Sequence, residues 1–155
     1  MTDLPLYELA VEQHIAAPPS HVYSIWTERL PEWWAPKPWT TQVVEMDMRP
    51  GGRSAMKMVG PEGDVSPVEG VFLEIVPNQR IVFTDAFRAG WIPNPPFMTG
   101  IFAFAPDGEG TAYRAAARHW DEATMQQHND MGFETGWGMV ADQFKALCEE
   151  SWAAR

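Results

Sequence analysis

The sequence predicts an α+β fold: a curved antiparallel sheet of about seven strands, one long C-terminal helix against its concave face, and two short helices after the first strand. Three observations carry this prediction. From Thr40 to Trp120, short apolar runs are separated by turn residues, as hairpins require. From Asp121 onward the apolar period becomes helical, with Phe133, Trp137, Val140, Phe144 and Leu147 in one stripe. No other element is available to cover the inner face of so large a sheet, so the last helix must plug it.

The elements follow in chain order. YELAVEQHI, from Tyr7 to Ile15, alternates enough for a first strand, and Pro18 and Pro19 stop it. Prolines suit the first turn of a helix, and Val22, Ile25 and Trp26 follow at helical spacing. The next segment, RLPEWWAPKPW, is interrupted by Pro31, Pro36 and Pro38, leaving a turn or two of helix around Glu32 to Ala35. TTQVVEMDM and SAMKMV form a hairpin around Pro50, Gly51 and Gly52. VEGVFLEIV and RIVFTDAF form a second, and MTGIFAFA with TAYRAAARHW a third. Between the second and third lies RAGWIPNPPF, a loop with three prolines and an exposed Trp91. Asp121 caps the terminal helical region, in which Gly132, Gly136 and Gly138 fall within seven positions and can interrupt the helix early on.

Composition bounds the function. With 155 residues, 45% of them hydrophobic and 21% charged, the chain is expected to form one globular domain over residues 1–155. A net charge of −10 argues against nucleic acid and anionic membrane surfaces as partners. The N-terminal MTDLPLYELAVEQ has no basic region followed by an apolar stretch, so the expected location is the cytoplasm. Cys148 is the lone cysteine, which excludes an intrachain disulfide and a cysteine metal cluster. No phosphate-binding glycine loop, G-x-S-x-G or H-E-x-x-H occurs, and the four histidines lack ligand spacing. Neither a metal nor a cofactor is expected.

The remaining signals suggest a cavity. Each interior glycine costs a helix about 1 kcal/mol relative to alanine, so the three need a reason. On a helical wheel Gly136 sits on the shoulder of the stripe and Gly132 at its margin, where a helix either comes close to a neighbour or leaves room for a ligand; Gly138 points away. In TAYRAAARH, Arg114 and Arg118 share one face while Tyr113, Ala115, Ala117 and His119 share the other. Arginine prefers water, which puts the alanine face inward, where Phe83, Phe102, Phe104 or Trp137 could fill the space. A three-residue loop would set Met46 opposite Met56 and Val44 opposite Met58, placing Met46, Met48, Met56 and Met58 on one side of the sheet as an adaptable wall. Asp85 alternates with Ile81, Phe83 and Phe87, so it faces inward or reaches the rim. Of Glu69 and Glu74, on opposite faces of a strand, one should look inward, and Asn129 falls on the buried stripe.

These residues resemble a known family. The order of elements, IAAPPSHVYSIWT with WWAP, the hairpin MRPGGR, EGVFLEIVPNQRIVFTDAF and the terminal HNDMGFETGWGMVADQFKAL are similar to the START-like superfamily, in the bacterial branch named after the activator of the heat-shock chaperone ATPase. The likeness spans nearly the whole chain and is most specific at Met131 to Phe133, at Gly136 and Trp137, and then at Trp33 and Trp34. It implies a helix-grip fold with a deep apolar cavity, in a superfamily of carriers, cyclases, hydrolase-like enzymes and stress proteins. The expected function is binding of a small hydrophobic or aromatic molecule. The residues expected to contact it are Trp26, Trp33, Met46, Met48, Met56, Met58, Phe83, Asp85, Ala115, Ala117, His119, Gly136, Trp137 and Val140. The alternative is an enzyme using Asp85, His119 or Glu69 as acid or base, and a third reading is a regulator of a chaperone ATPase. Trp91 and its loop would serve as a lid or as a homodimer contact.

Overall fold

A computed structural model describes residues 5–155; the first four residues of the N-terminal segment discussed above lie outside the described residues. Strand β1 (Tyr7–Ile15) is followed by helix α1 (Pro19–Glu28) and a single 3-10 turn at Leu30–Glu32. Then come β2 (Thr40–Met46), β3 (Arg53–Val59), β4 (Val65–Val76) and β5 (Arg80–Thr84). Two short strands, β6 (Phe87–Arg88) and β7 (Ile92–Pro93), precede β8 (Thr99–Asp107) and β9 (Gly110–His119). Helices α2 (Glu122–Asp130) and α3 (Phe133–Ala153) complete the chain. The sheet has seven strands in the order β1-β9-β8-β5-β4-β3-β2, every neighbouring pair antiparallel, so the first strand meets the last. This is the predicted α+β layout, with α3 packed along β1 and α1.

Local chemistry sets these elements. Across β1 and β9, Glu8 stands opposite Arg118 and Glu12 opposite Arg114, and both arginines pair with these glutamates on the outer face. That leaves Tyr113, Ala115 and Ala117 to the inside, all of them buried. Helix α1 starts on proline and buries Val22, Ile25 and Trp26. The Asp121 side chain accepts a hydrogen bond from the Thr124 amide at 2.7 Å and caps α2.

Three details depart from the sequence reading and a fourth, the glycine interruption of the terminal helical region, gains its place. The helical turn in the tryptophan connector begins at Leu30, where the Arg29 carbonyl accepts the Glu32 amide and the Leu30 carbonyl accepts those of Trp33 and Trp34. The β2–β3 register is shifted by a bulge at Val43/Glu45: Met46 faces Ser54, Val43 faces Met56 and Thr41 faces Met58. The proline-rich loop carries the small hairpin β6–β7, with Trp91 exposed at its tip, where its indole lies over Gly51 of the β2–β3 turn. The terminal helical region is two helices, broken at Gly132, whose φ of 92° suits glycine alone. Gly132 therefore belongs to a junction, and no single helical wheel runs from α2 into α3.

The core lies between the sheet and α1/α3. Trp26, Trp33, Phe102, Tyr113 and Phe144 are buried to 2% exposure or less. Phe144 of α3 meets Trp33 at 4.4 Å and Tyr113 at 4.8 Å between ring centroids. Among the described residues, no helix is long and apolar enough to cross a membrane.

Candidate functional site

Under the first half of α3 the core does not close. A cavity of about 760 Å³ opens between α3, β4, β5, the tryptophan connector and the Phe97–Met98 segment. Its size falls in the range of small-molecule sites. Trp33, Trp34, Met58, Val68, Phe83, Phe102, Ala115, Trp137 and Val140 supply most of the apolar wall, and Arg88, Pro67 and Met131 stand exposed at its edge. Phe83 lies parallel to Phe102, and Phe102 to Trp137, with centroids 5.9 and 6.0 Å apart. A Cβ placed on Gly136 would meet nothing within 4 Å. Gly136 therefore leaves room and does not mediate a close approach. Gly138 also faces open space, in a separate recess of about 420 Å³ between α3 and β1.

The cavity has two built polar features, a histidine pair and Asp85. His119, at the end of β9, places Nδ1 3.1 Å from the carbonyl oxygen of Tyr7 and Nε2 2.8 Å from Nδ1 of His128, in the last turn of α2. Both imidazoles are buried, and of the two only His128 lines the cavity. Burial, with the neighbouring His119 adding to it, pulls His128 down to about 4, so at neutral pH its ring is uncharged. Asp85, half-buried on the wall, accepts the backbone N–H groups of Phe97 at 2.8 Å and Met98 at 3.2 Å through Oδ1. Its role in the fold is to hold that loop over the cavity. Tyr113 is buried and raised well above the ordinary phenol by desolvation, and burial pushes the Cys148 thiol up to about 12. Neither is a nucleophile near neutrality.

The predicted site residues divide accordingly. Trp33, Met58, Phe83, Asp85, Ala115, Gly136, Trp137 and Val140 line the cavity together. Trp26 is packed behind the wall against Trp33, Trp34 and Phe102. Met56 and Ala117 are sealed in the core, Met46 and Met48 pack half-buried against it, and none of the four reaches the cavity. Met46 pairs with Ser54, which shares a face of β3 with Met56 and Met58, so these methionines do lie on one side of the sheet, and of the four it is Met58 that borders the cavity. Glu69 borders the cavity but gives its carboxylate to Arg53 at 3.1 Å, and Glu74 pairs with Arg80 beyond a bulge at Phe72/Glu74, away from the cavity. His119 supports the site from behind His128. Asn129 is exposed and borders the β1 recess, since the helix carrying it ends before α3 begins.

Sequence reasoning missed His128, Trp34, Phe97, Met98 and Phe133 as cavity residues. A usable signal for His128 exists. Only Trp120 and Asp121 separate the strand end at His119 from a capped helix, so α2 must fold back beside β9 and bring the two histidines together. Among the described residues, no group of three His, Cys, Asp or Glu side chains converges as a metal site.

A long C-terminal helix gripped by a curved antiparallel sheet over an open apolar cavity defines the START-like, helix-grip class. The chain belongs to the Activator of Hsp90 ATPase homolog 1-like protein family, whose model matches residues 16–149. Among solved structures it is similar to a protein from Nitrosomonas europaea, with 34% identity over 98% of this chain and 99% of that one and a TM-score of 0.87. A Mycobacterium smegmatis protein is 26% identical over 94% and 92% of the two chains, with a TM-score of 0.78. An AHSA1 protein from Silicibacter pomeroyi shares the fold at 19% identity, covering 90% of this chain and 95% of that one, with a TM-score of 0.69. No curated protein matches the chain at a significant level.

Proposed function

We propose that the protein binds a small hydrophobic or aromatic molecule in the cavity between α3 and the sheet. The observation that carries this reading is the open volume of about 760 Å³ beneath Gly136, walled by tryptophan, phenylalanine and methionine. Protein interiors are close-packed, and a void of this size costs dispersion contacts that a ligand would restore. A filled core would have placed a larger side chain at Gly136. Native mass spectrometry of the purified protein tests the reading: a co-purifying apolar molecule is the expected result. A bare mass, together with no binding of naphthalene-type probes, would sink it.

The second reading is a small-molecule enzyme of cyclase, dehydratase or hydrolase type in the same cavity. The His119–His128 pair favours it, since two imidazoles within hydrogen-bond reach can hold and pass a proton. Its base would be His128 in place of Asp85, Glu69 or His119, and the depressed basicity of His128 makes it a poor one near neutrality. Binding is therefore ranked above catalysis. Regulation of a chaperone ATPase comes third and rests on the family name alone; an unchanged ATPase rate on mixing with the chaperone ends it. A homodimer through the Trp91 hairpin, residence in the cytoplasm and the absence of nucleic-acid and membrane partners stay proposals of the same kind, and sedimentation of the purified protein decides the first of them.

A further inference from the structure

We infer that the cavity selects an aromatic molecule carrying a hydroxyl or N–H group, which donates its hydrogen to Nε2 of His128. This rests on the cavity being a ligand site and goes further by naming the chemistry the ligand must present. The argument follows hydrogens along a chain. The carbonyl oxygen of Tyr7 can only accept, so in an imidazole with a single hydrogen that hydrogen sits on Nδ1 of His119, 3.1 Å away. That leaves Nε2 of His119 as a bare acceptor. Nδ1 of His128 lies 2.8 Å from it and must therefore be the donor. The second nitrogen of His128, Nε2, is left with a lone pair. It makes no hydrogen bond among the described residues, and it is not sealed from solvent-sized space, in contrast to the indole nitrogens of Trp26 and Trp33. One backbone carbonyl thus fixes the tautomers of two rings and makes the cavity end of the chain acceptor-only.

The surroundings of His128 supply the aromatic half of the preference. Its ring is caged by Phe97 and Phe133, each 4.9 Å away between centroids, and by Trp137 at 5.9 Å. All three line the cavity, so a ligand that reaches Nε2 passes between ring faces and edges. An ether or ester oxygen brought to the same place would set two lone pairs against each other. An acceptor buried without a donor is costly, and this is the chemical basis of discrimination.

The test compares naphthol, methoxynaphthalene and naphthalene by isothermal titration calorimetry at about pH 8, where unperturbed imidazoles are neutral. Naphthol is expected to bind about tenfold more tightly than methoxynaphthalene. In His128→Phe, which keeps an aromatic ring and removes the acceptor, the ratio of the naphthol and methoxynaphthalene affinities should fall to about one. His119→Phe, which frees His128 to choose its tautomer, should shrink the preference without abolishing binding. Equal affinity of the unaltered protein for naphthol and methoxynaphthalene overturns the donor rule and leaves the pocket standing. No binding of any of the three overturns the pocket, and the donor rule with it. If the variants fail to fold, long-range proton–nitrogen NMR of the unaltered protein decides: an unprotonated Nε2 on His128 supports the chain of hydrogens, and a protonated one overturns it.

Discussion

At the scale of single residues, the three glycines around α3 do three different things, and substitution by alanine should separate them. Gly132 sits at φ 92°, where a Cβ is strained, so Gly132→Ala should cost about 1–2 kcal/mol. Gly136 and Gly138 are inside a helix facing open space, and alanine there should add up to about 1 kcal/mol each, or about 2–4 °C in Tm. Thermal melts of the three variants check the signs, which should run negative, positive, positive. Gly136→Phe carries the argument from stability to function. The ring would occupy the cavity against Trp137, so the protein should stay folded and lose naphthol binding, whereas Gly138→Ala should keep it. Equal binding in both would show that the cavity beneath Gly136 is not where the ligand sits. Wheel geometry alone could not distinguish close approach from vacancy at Gly136, because that depends on what the sheet places opposite.

At the scale of elements, the tryptophan connector is held by one side chain that pattern analysis passes over. Gln143, on α3, donates through Nε2 to the carbonyls of Trp33 at 3.1 Å and Ala35 at 2.8 Å, and its Oε1 accepts the Lys37 amide at 2.9 Å. A proline-rich segment with little helix of its own is thereby tied to the helix across the cavity from the sheet. Gln143→Leu keeps the bulk and strands three backbone groups. It should cost about 2–3 kcal/mol in denaturant unfolding and weaken probe binding, because Trp33 and Trp34 lose their anchor. Asp85→Ala should act in the same way on the other wall, releasing the amides of Phe97 and Met98 at a cost of about 1–3 kcal/mol. Asp85→Asn, which retains an acceptor, should recover most of it. Both residues are cavity supports whose value lies in backbone hydrogen bonds. Sequence reasoning marked Asp85 for its unusual place on an apolar strand and could not tell a loop clamp from a catalytic acid.

At the scale of the whole molecule, local chemistry made the strands, the turns and the stripe on α3 legible: β1 and the alanine face of β9 follow from alternation and from the arginines. The two bulges, at Val43/Glu45 and Phe72/Glu74, were not legible, and they change which residues of neighbouring strands stand opposite each other. An early interruption by the glycines was legible but its place at Gly132 was not, and it shifts the phase by which Asn129 replaces His128 on an imagined continuous helix. Where register or phase is inherited across a break, a one-residue error moves a side chain to another face. His128 is the residue most affected by that error, and it also sets a global property. Folding lowers it from 6.5 to about 4, so the unfolded chain binds a proton that the native state refuses. Its contribution to stability is therefore intact above the unfolded value and is lost as pH falls from 6.5 toward about 4, where the loss levels off at about 3 kcal/mol. The titratable neighbour that lies against it is His119; its other ring contacts, Phe97, Phe133 and Trp137, carry no charge. Denaturant unfolding at steps from about pH 7.5 down to about pH 4.5 should show stability flat at first and then falling, before most carboxylates titrate. His128→Phe should flatten that slope. If the variant keeps the full decline, the acid sensitivity belongs to the carboxylates of a chain with net charge −10 and the histidine pair has no part in it.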